Sequence, residues 1–132
     1  MSTFPEKLTE LLASAHCAVY TYGVVAAYAD DSHAALDNQA IHRQLRDKLI
    51  ASATLQKIAV PEPALAYALP MRVTNNNSAM AVAALLENRL CNQWATDLFY
   101  LERTLALELV TFPQECAVRA FMWSGVTSAF PH

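Results

Sequence analysis

The sequence predicts a single all-α domain over residues 1–132, built as a four-helix bundle. The chain has only 2 glycines, whereas a sheet-rich fold requires many tight turns. Hydrophobic residues make up 55% of the chain and charged residues 16%, and the commonest types are alanine and leucine, both strong helix formers. Several long segments carry apolar residues at helical spacing. The chain is therefore long and apolar enough to bury a substantial core.

The first two helices are indicated by caps and by apolar periodicity. Thr3 and Glu6 have the spacing of a capping box, which predicts a helix start at the beginning of the chain. Apolar residues from Leu8 to Ala26 then recur at helical spacing, so that one stripe faces the core. Asp30-Asp31-Ser32 ends this helix and supplies a cap for the next. We predict the second helix from about Ser32 to Lys57.

The segment Ile58–Asn77 is not predicted to be a continuous helix. Pro61, Pro63 and Pro70 each lack an amide donor and clash with the preceding turn. A helix of ~25 residues is about 37 Å long, whereas ~20 extended residues span up to about 65 Å. The segment can therefore travel the length of the bundle and start the third helix parallel to the second. Such a long crossover between helices 2 and 3 distinguishes ferritin-like bundles from up-and-down bundles.

The third helix is predicted to begin near Asn77-Ser78, but the start of the fourth has two candidate positions. Thr111-Phe112-Pro113-Gln114 repeats the opening of the first helix and is a good helix start. Matching the helix lengths instead puts the turn near Glu102–Thr104 and leaves Pro113 as a kink inside the fourth helix. We favour this second prediction, because a third helix that reached position 110 would far outgrow its neighbours.

A ferritin-like metal site requires a demanding set of ligands. It takes one inward glutamate from each of two helices and a Glu-x-x-His pair from each of the other two. None of the glutamates in this chain has a histidine three residues on. Asp30 and His33 have that spacing but lie at a helix junction, where capping explains the aspartate. Gln39 and His42 also have it, with an amide in place of the carboxylate. The sequence therefore predicts no stoichiometric metal and no other cofactor.

Polar residues on otherwise apolar helix faces predict an internal cluster instead. Glu87 lies within the apolar stripe of the third helix, where an unpaired carboxylate costs several kcal/mol. We expect an arginine to replace the charge of a metal ion beside it. The predicted members of the cluster are Gln39, His42, Arg46, Glu87 and Arg119. If a metal such as iron does bind, the candidate ligands that remain are His42, Glu87 and His16.

Charge and cysteine usage exclude several classes of partner. The net charge is −3 and no block of lysine and arginine stands out, which argues against binding to nucleic acid. We identify no apolar run of membrane-spanning length and no signal-peptide pattern, so we expect a cytoplasmic protein without a membrane partner. Cys17, Cys91 and Cys116 are odd in number and show no Cys-x-x-Cys spacing. They are typical of small buried residues in a reducing compartment.

Segments spread over nearly the entire chain resemble an uncharacterised bacterial family of ferritin-like domains, a family known as a domain of unknown function. The Tyr-Ala-Leu-Pro stretch of the crossover is the most specific of them. The segments are Ala15–Val25, His42–Asp47, Ala66–Pro70 with Val73-Thr74, Leu86-Glu87, and Ala117–Ala120 with Trp123. The resemblance implies a ferritin-like fold and carries no established activity.

The resemblance also implies where metal ligands would stand in other members of the family. A glutamate precedes the histidine of the first helix, and a Glu-x-x-His pair lies in the second. This chain has Ala15 and Gln39 at those positions. His42 and Glu87 are the matching candidates that remain, so the departures weaken any expectation of shared metal chemistry.

Two functions of different classes follow from these observations. We favour a non-catalytic bundle that acts through interaction or through binding of an apolar small molecule. The alternative is a metal-binding, di-iron-type oxidoreductase with a depleted ligand set. We also expect a homodimer formed along helix faces, because a chain with so little charge and so many large apolar residues is hard to cover alone.

Overall fold

The computed structural model describes residues 3–128, with side chains through residue 124. The regular secondary structure of this part of the chain is all helical, with no β-strand, which confirms the predicted all-α bundle. Four long helices and one short helix account for most of it. They are α1 (Phe4–Tyr28), α2 (Ser32–Leu55), α3 (Asn76–Asp97), α4 (Arg103–Glu108) and α5 (Phe112–Ser128), with a 3-10 turn at Leu98–Tyr100 between α3 and α4.

The starts of the first three helices are fixed by side-chain caps. Thr3 Oγ1 accepts a hydrogen bond from the amide of Glu6 at 3.4 Å, and Asp31 Oδ1 accepts one from the amide of Ala34 at 3.0 Å. Asn75 and Ser78 form a capping box at the start of α3. Each cap satisfies amide groups that have no partner inside the helix, so these local sequence signals set the helix boundaries.

The helices pack in a chain of neighbours, with α1 against α2 and α3, and α3 against α5. The backbone amide of Asp30 donates to Asn76 Oδ1 at 2.8 Å, which places the start of α3 beside the turn between α1 and α2. Lys7 Nζ lies 3.4 Å from a carboxylate oxygen of Asp97 and joins the start of α1 to the end of α3. Helices α1 and α3 are therefore antiparallel. The largest fully buried apolar side chains are Trp94, Tyr22, Leu8, Leu11, Leu12 and Leu49.

Residues 56–75, between α2 and α3, contain neither helix nor strand. Helix α2 ends at Leu55. Two residues later Lys57 has a φ of 58°, in the left-handed region, and the amide of Ile58 donates to the carbonyl of Ala53 at 2.8 Å. This arrangement satisfies one of the last carbonyl groups of the helix.

The C-terminal part of the chain differs from the favoured prediction. The turn after α3 lies at Leu101-Glu102, close to the predicted position, but Pro113 is not a kink within one long fourth helix. Two helices follow instead. Glu102 caps the short helix α4 by accepting from the amide of Thr104 at 2.7 Å, and α5 begins at Phe112. Pro113 occupies the first turn of α5, where its missing amide costs no hydrogen bond.

Helix α1 is, among the described helices, the one that is long and apolar enough to cross a membrane by length and composition alone. In its most apolar stretch 44% of the residues are buried inside the bundle. A core helix needs the same composition, because its apolar stripe covers the neighbouring helices. The composition of α1 is thus weak support for a membrane span.

Candidate functional site

A single carboxylate oxygen lies at the centre of the bundle. Glu87 of α3 is fully buried, and its Oε2 atom accepts hydrogen bonds from three side chains on three other helices. The donors are the hydroxyl of Tyr22 at 2.5 Å, Nε2 of His42 at 2.9 Å and Nε of Arg119 at 3.0 Å. Because Tyr22 is on α1, His42 on α2 and Arg119 on α5, this oxygen joins all the long helices.

The cluster is built around an ionised pair. Burial opposes ionisation of the Glu87 carboxyl, but the hydrogen bond and charge of His42 and the charge of Arg119 outweigh it, so the pKa of Glu87 lies below its usual value. Burial likewise opposes the charge of Arg119, and the Glu87 carboxylate raises the pKa of Arg119 above its usual value. Each charge therefore stabilises the other in a site from which water is largely excluded.

Tyr22 extends the cluster towards the surface. Its hydroxyl donates to Glu87 and accepts from Nε1 of Trp123 at 3.1 Å and from Nδ2 of Asn38 at 3.5 Å. Burial and the adjacent Glu87 carboxylate raise the pKa of Tyr22 well above its usual value, so the phenol stays neutral and acts as a donor. Its ring stacks on that of His42 with centroids 5.5 Å apart. The tyrosine thus connects the buried carboxylate to α2 and α5.

Two polar atoms of the cluster make no hydrogen bond within the described part of the chain. They are Oε1 of Glu87 and Nδ1 of His42, both in fully buried side chains. Since a carboxylate only accepts, Nε2 of His42 carries the proton that it shares with Oε2. Further hydrogen-bonding capacity therefore remains at the centre of the bundle.

A cavity of about 350 Å³ lies beside the cluster, between α2 and α5, and the first turns of α3 complete its wall. Its inner wall includes Asn38, Arg119 and Trp123, the residues that contact Tyr22 or Glu87 directly. Its mouth lies at the end of the bundle where α2 and α3 begin. The full lining is Asp30, Asp31, Ala34, Asn38, Asn76, Met80, Arg119, Met122 and Trp123.

Comparison with known proteins places the chain in a family. Residues 7–132 match the domain of unknown function DUF4439. The chain belongs to the DUF4439 family. A solved structure of similar shape is the conserved hypothetical protein rv2844 from Mycobacterium tuberculosis, with a TM-score of 0.84 and 28% identity over 96% of this chain and 91% of that chain. No curated protein matches this DUF4439 domain.

The central cluster of this DUF4439 domain differs in charge from the ligand set of a di-metal centre, which is rich in carboxylates. Within residues 3–128, no three His, Cys, Asp or Glu side chains are grouped in a way that would hold a metal ion. Glu87 is the carboxylate of the central cluster, and a guanidinium rather than a second carboxylate lies beside it. A cation at this position repels a metal ion and already compensates the charge of Glu87.

The structure brings together some of the residues that the helical pattern grouped and separates others. His42, Glu87 and Arg119 meet in the central cluster. Gln39 is buried one turn before His42 on α2, and its side-chain amide donates instead to the backbone carbonyl of Val19 on α1 at 2.8 Å. The helical pattern also placed Arg46 in this cluster, but its guanidinium lies 3.1 Å from the carboxylate of Asp47. Arg46 is further along α2, at its partly exposed edge.

His16 lies apart from the central cluster in this domain. It lines a second cavity, between α1 and α2, together with Tyr20, Arg46 and Tyr67. Burial and the charge of Arg46 lower the pKa of His16, which favours its neutral form. The sequence left His16 as a candidate ligand beside His42 and Glu87. In the structure His16 lines a different cavity and does not join these two residues.

Three residues of the cluster were not identified from the sequence. Tyr22 fell within the apolar stripe predicted for the first helix, Trp123 appeared only in a segment that carries the family resemblance, and Asn38 had no assigned role. A buried carboxylate needs donors, and a hydroxyl on the inward stripe of α1 was a candidate to supply one. That signal was available in the sequence at Tyr22.

Proposed function

We propose that this chain is a non-catalytic, ferritin-like bundle in which an arginine stands in place of metal charge, and that it binds an apolar small molecule. The observation that carries the proposal is the contact between Arg119 Nε and Glu87 Oε2 at 3.0 Å, beside a cavity of about 350 Å³. The first feature argues against metal chemistry at the centre of the bundle. The second offers a place for a ligand.

The ferritin-like fold is supported by the direction of the helices. The contact between Asp30 and Asn76 puts the starts of α2 and α3 at the same end of the bundle, and the pair of Lys7 and Asp97 marks the opposite end. In this arrangement α2 and α3 run in the same direction, and residues 56–75 return along the bundle as the Pro-containing crossover. One such crossover is typical of ferritin-like folds.

The balance of charge supports a bundle without metal. Two ferrous ions bring four positive charges, and a buried site has to supply comparable negative charge to hold them. Here the central carboxylate, Glu87, is already paired with Arg119. His42 adds no negative charge, and Tyr22 is held neutral by its raised pKa. The electrostatics therefore favour the ion pair over a metal pair.

The cavity supports binding of an apolar molecule. Its volume of about 350 Å³ falls within the range of roughly 300–1,000 Å³ typical of small-molecule sites. The apolar part of its lining comprises Ala34, Met80, Met122 and Trp123. Thioether side chains are flexible and polarisable, so Met80 and Met122 adapt to ligands of different outline.

The metal part of the proposal is tested by adding ferrous iron under air to protein purified without a chelating tag. We expect desalting and elemental analysis to show no stoichiometric iron. Retention of about two irons per chain, with the ultraviolet band of an oxo-bridged centre, would overturn the proposal. It would favour the alternative of a di-iron-type oxidoreductase, which the unpartnered Oε1 of Glu87 and Nδ1 of His42 support.

The ligand part is tested by nuclear magnetic resonance of protein labelled with ¹³C at the methionine methyl groups. Titration with 1-octanol, an uncharged apolar probe, is expected to shift the signals of Met80 and Met122 in a saturable way. Met71 lies outside the cavity lining and serves as the internal reference. Equal, non-saturating shifts at all three methyl groups would contradict specific binding.

We also propose that the chain forms a homodimer through the outer face of α5. Val118 and Phe121 on this face are 60% and 63% exposed. Between positions 112 and 124 the charged residues are Glu115 and Arg119, and Arg119 points inward to Glu87. Two copies that meet through this face bury apolar area and desolvate little charge, which favours a symmetric contact.

A cytoplasmic location remains part of the proposal. It is supported by the three unpaired cysteines, of which Cys116 is buried and Cys17 and Cys91 are partly buried. The apolar stripe of α1 is explained by its place in the core of the bundle. Fractionation of the expressing cells, with immunodetection of the protein in soluble and membrane fractions, tests this location.

A further inference from the structure

The cavity between α2 and α5 has charged groups at its two ends and apolar side chains between them. Asp30 and Asp31 lie at the mouth and are exposed to solvent. One oxygen of Asp31 caps α2 by accepting from the amide of Ala34 at 3.0 Å. Asp30 contributes its backbone amide to a contact with Asn76, and its carboxylate makes no described hydrogen bond. The mouth therefore carries two carboxylates with oxygen atoms available to a ligand.

The inner end of the cavity is balanced in charge. Arg119 reaches the cavity wall, but its positive charge is already matched by Glu87 at 3.0 Å. A carboxylate ligand placed there would add a second negative charge beside a buried one, at a cost in a medium of low dielectric constant. It would also have to pass Asp30 and Asp31. The inner end is consequently unfavourable to anions.

The size of the cavity sets the size of the apolar part of a ligand. A cavity of about 150 Å³ lined by apolar side chains holds benzene. The volume here, about 350 Å³, is more than twice as large and is shared by Met80, Met122 and Trp123. An apolar body of about ten non-hydrogen atoms fits such a space.

We propose that the cavity binds a cationic amphiphile, with its apolar body against Met80, Met122 and Trp123 and a protonated amine at the mouth beside Asp30 and Asp31. This inference rests on the proposed function, because it assigns a chemical class to the ligand of the same cavity. The carboxylates attract the ammonium group where it stays in contact with water, so that its desolvation is small. The apolar body gains from leaving water.

The experiment compares three probes that share an eight-carbon chain and differ in charge: octylamine, 1-octanol and octanoate. Each is titrated at pH 7 below its micelle concentration, with the methyl signals of Met80 and Met122 as the readout. Octylamine is expected to bind roughly two- to fivefold more tightly than octanol, and octanoate most weakly, from the typical strength of exposed ion pairs. The preference for octylamine should diminish as salt is added.

Variants show whether the preference comes from the mouth. The double substitution Asp30→Asn and Asp31→Asn removes both charges and keeps the cap of α2, since asparagine caps as well as aspartate does. It is expected to bring the affinity for octylamine down to that for octanol and to leave octanol binding unchanged. Asp47→Asn removes a charge from α2 outside the cavity and is the matched control. It should retain the preference.

The outcomes separate this inference from the proposed function. If none of the three probes shifts the signals of Met80 and Met122, both proposals are overturned. If octanol and octanoate bind at least as tightly as octylamine, the cavity binds apolar molecules and the assignment of a cationic ligand is wrong. The same conclusion follows if the double variant keeps the preference for octylamine.

Discussion

Arg119 Nε lies 3.0 Å from Oε2 of Glu87, and the Glu87 side chain is fully buried. The contact uses one donor of the guanidinium, because Nη2 turns to the sulfur of Cys116 at 3.4 Å. It connects α3 to α5, the last long helix of the chain, through two charges in the interior. A buried pair of this kind contributes to stability mainly as a unit, since loss of either partner leaves the other charge uncompensated.

Replacement of Arg119 by methionine is expected to destabilise the protein by about 3–5 kcal/mol, the typical cost of stranding a buried charge. Methionine keeps an unbranched apolar side chain at the site, so the loss reports mainly on the charge. The measurement is urea unfolding followed by circular dichroism. Arg89→Met, on the exposed face of α3, is the control and should change the free energy of unfolding by no more than about 0.5 kcal/mol.

A double-mutant cycle identifies the partner of Arg119. Glu87→Gln together with Arg119→Met should cost less than the sum of the two single substitutions, with a coupling of roughly 0.5–3 kcal/mol. Additive effects would mean that the two side chains do not act on each other in solution, contrary to the geometry.

The pKa of Glu87 predicts a dependence of stability on pH. This carboxyl has a lower pKa in the folded protein than in the unfolded chain, where it is near its usual value of about 4.3. The folded state therefore binds this proton less readily, and the stabilisation is fully present above the unfolded pKa. It is lost as the pH falls from there through the folded pKa.

The measurement is the free energy of unfolding between pH 7 and pH 3 for the native protein and for Glu87→Gln. The native protein should lose more stability than the variant over this range. Glu62→Gln, on the exposed connection between α2 and α3, should follow the native curve. Parallel curves for native protein and Glu87→Gln would show that Glu87 has no perturbed titration.

The sequence predicted the start of a helix correctly where a single capping residue marked it. Thr3 and Asp31 cap helices in the structure as their positions indicated. The fourth helix was predicted wrongly, because two signals are both real. Glu102 caps α4 and Phe112 begins α5, whereas the length argument assumed one continuous helix. A short helix between two turns has no signature in apolar periodicity.

The sequence predicted only some members of the central cluster, because helical spacing does not determine how the helices pack against one another. Helical spacing puts His42 and Glu87 on inward faces, and a buried carboxylate calls for a cation. Spacing does not determine the rotation of one helix against another, so it does not select Arg119 over Arg46 as that cation. The two donors from Tyr22 and His42 depend on the same rotation. These choices required the packed structure.

Tyr22→Phe is expected to lower the free energy of unfolding by about 1–3 kcal/mol, since it removes a buried hydroxyl from its partners. Phenylalanine keeps the ring that stacks on His42, so the effect isolates the hydroxyl. Glu87 loses one donor, and Nε1 of Trp123 loses its acceptor. Tyr20→Phe, on a less buried tyrosine of the same helix, is the matched control and should be near neutral.

Trp123 provides a second readout of that substitution. Its indole Nε1 donates to the hydroxyl of Tyr22 at 3.1 Å, so its proton resonance should move in Tyr22→Phe and stay in place in Tyr20→Phe. A Tyr22→Phe protein as stable as the native one, with an unchanged Trp123 signal, would contradict the hydrogen bond.

The proposed dimer predicts that a charge on the outer face of α5 separates the two copies. Phe121 is 63% exposed, so glutamate at this position can be accommodated in the monomer. In a symmetric contact each copy contributes the same face, and Phe121→Glu places a charge in an interface that otherwise buries apolar side chains. Light scattering over a range of protein concentrations is expected to show a dimer for the native chain and a monomer for this variant.

Phe99→Glu is the control, because Phe99 is 86% exposed but lies in the 3-10 turn after α3, away from α5 in the chain. It should leave the mass unchanged. A native chain that remains monomeric at high micromolar concentration would rule out the dimer, and equal dissociation by both variants would place the interface elsewhere.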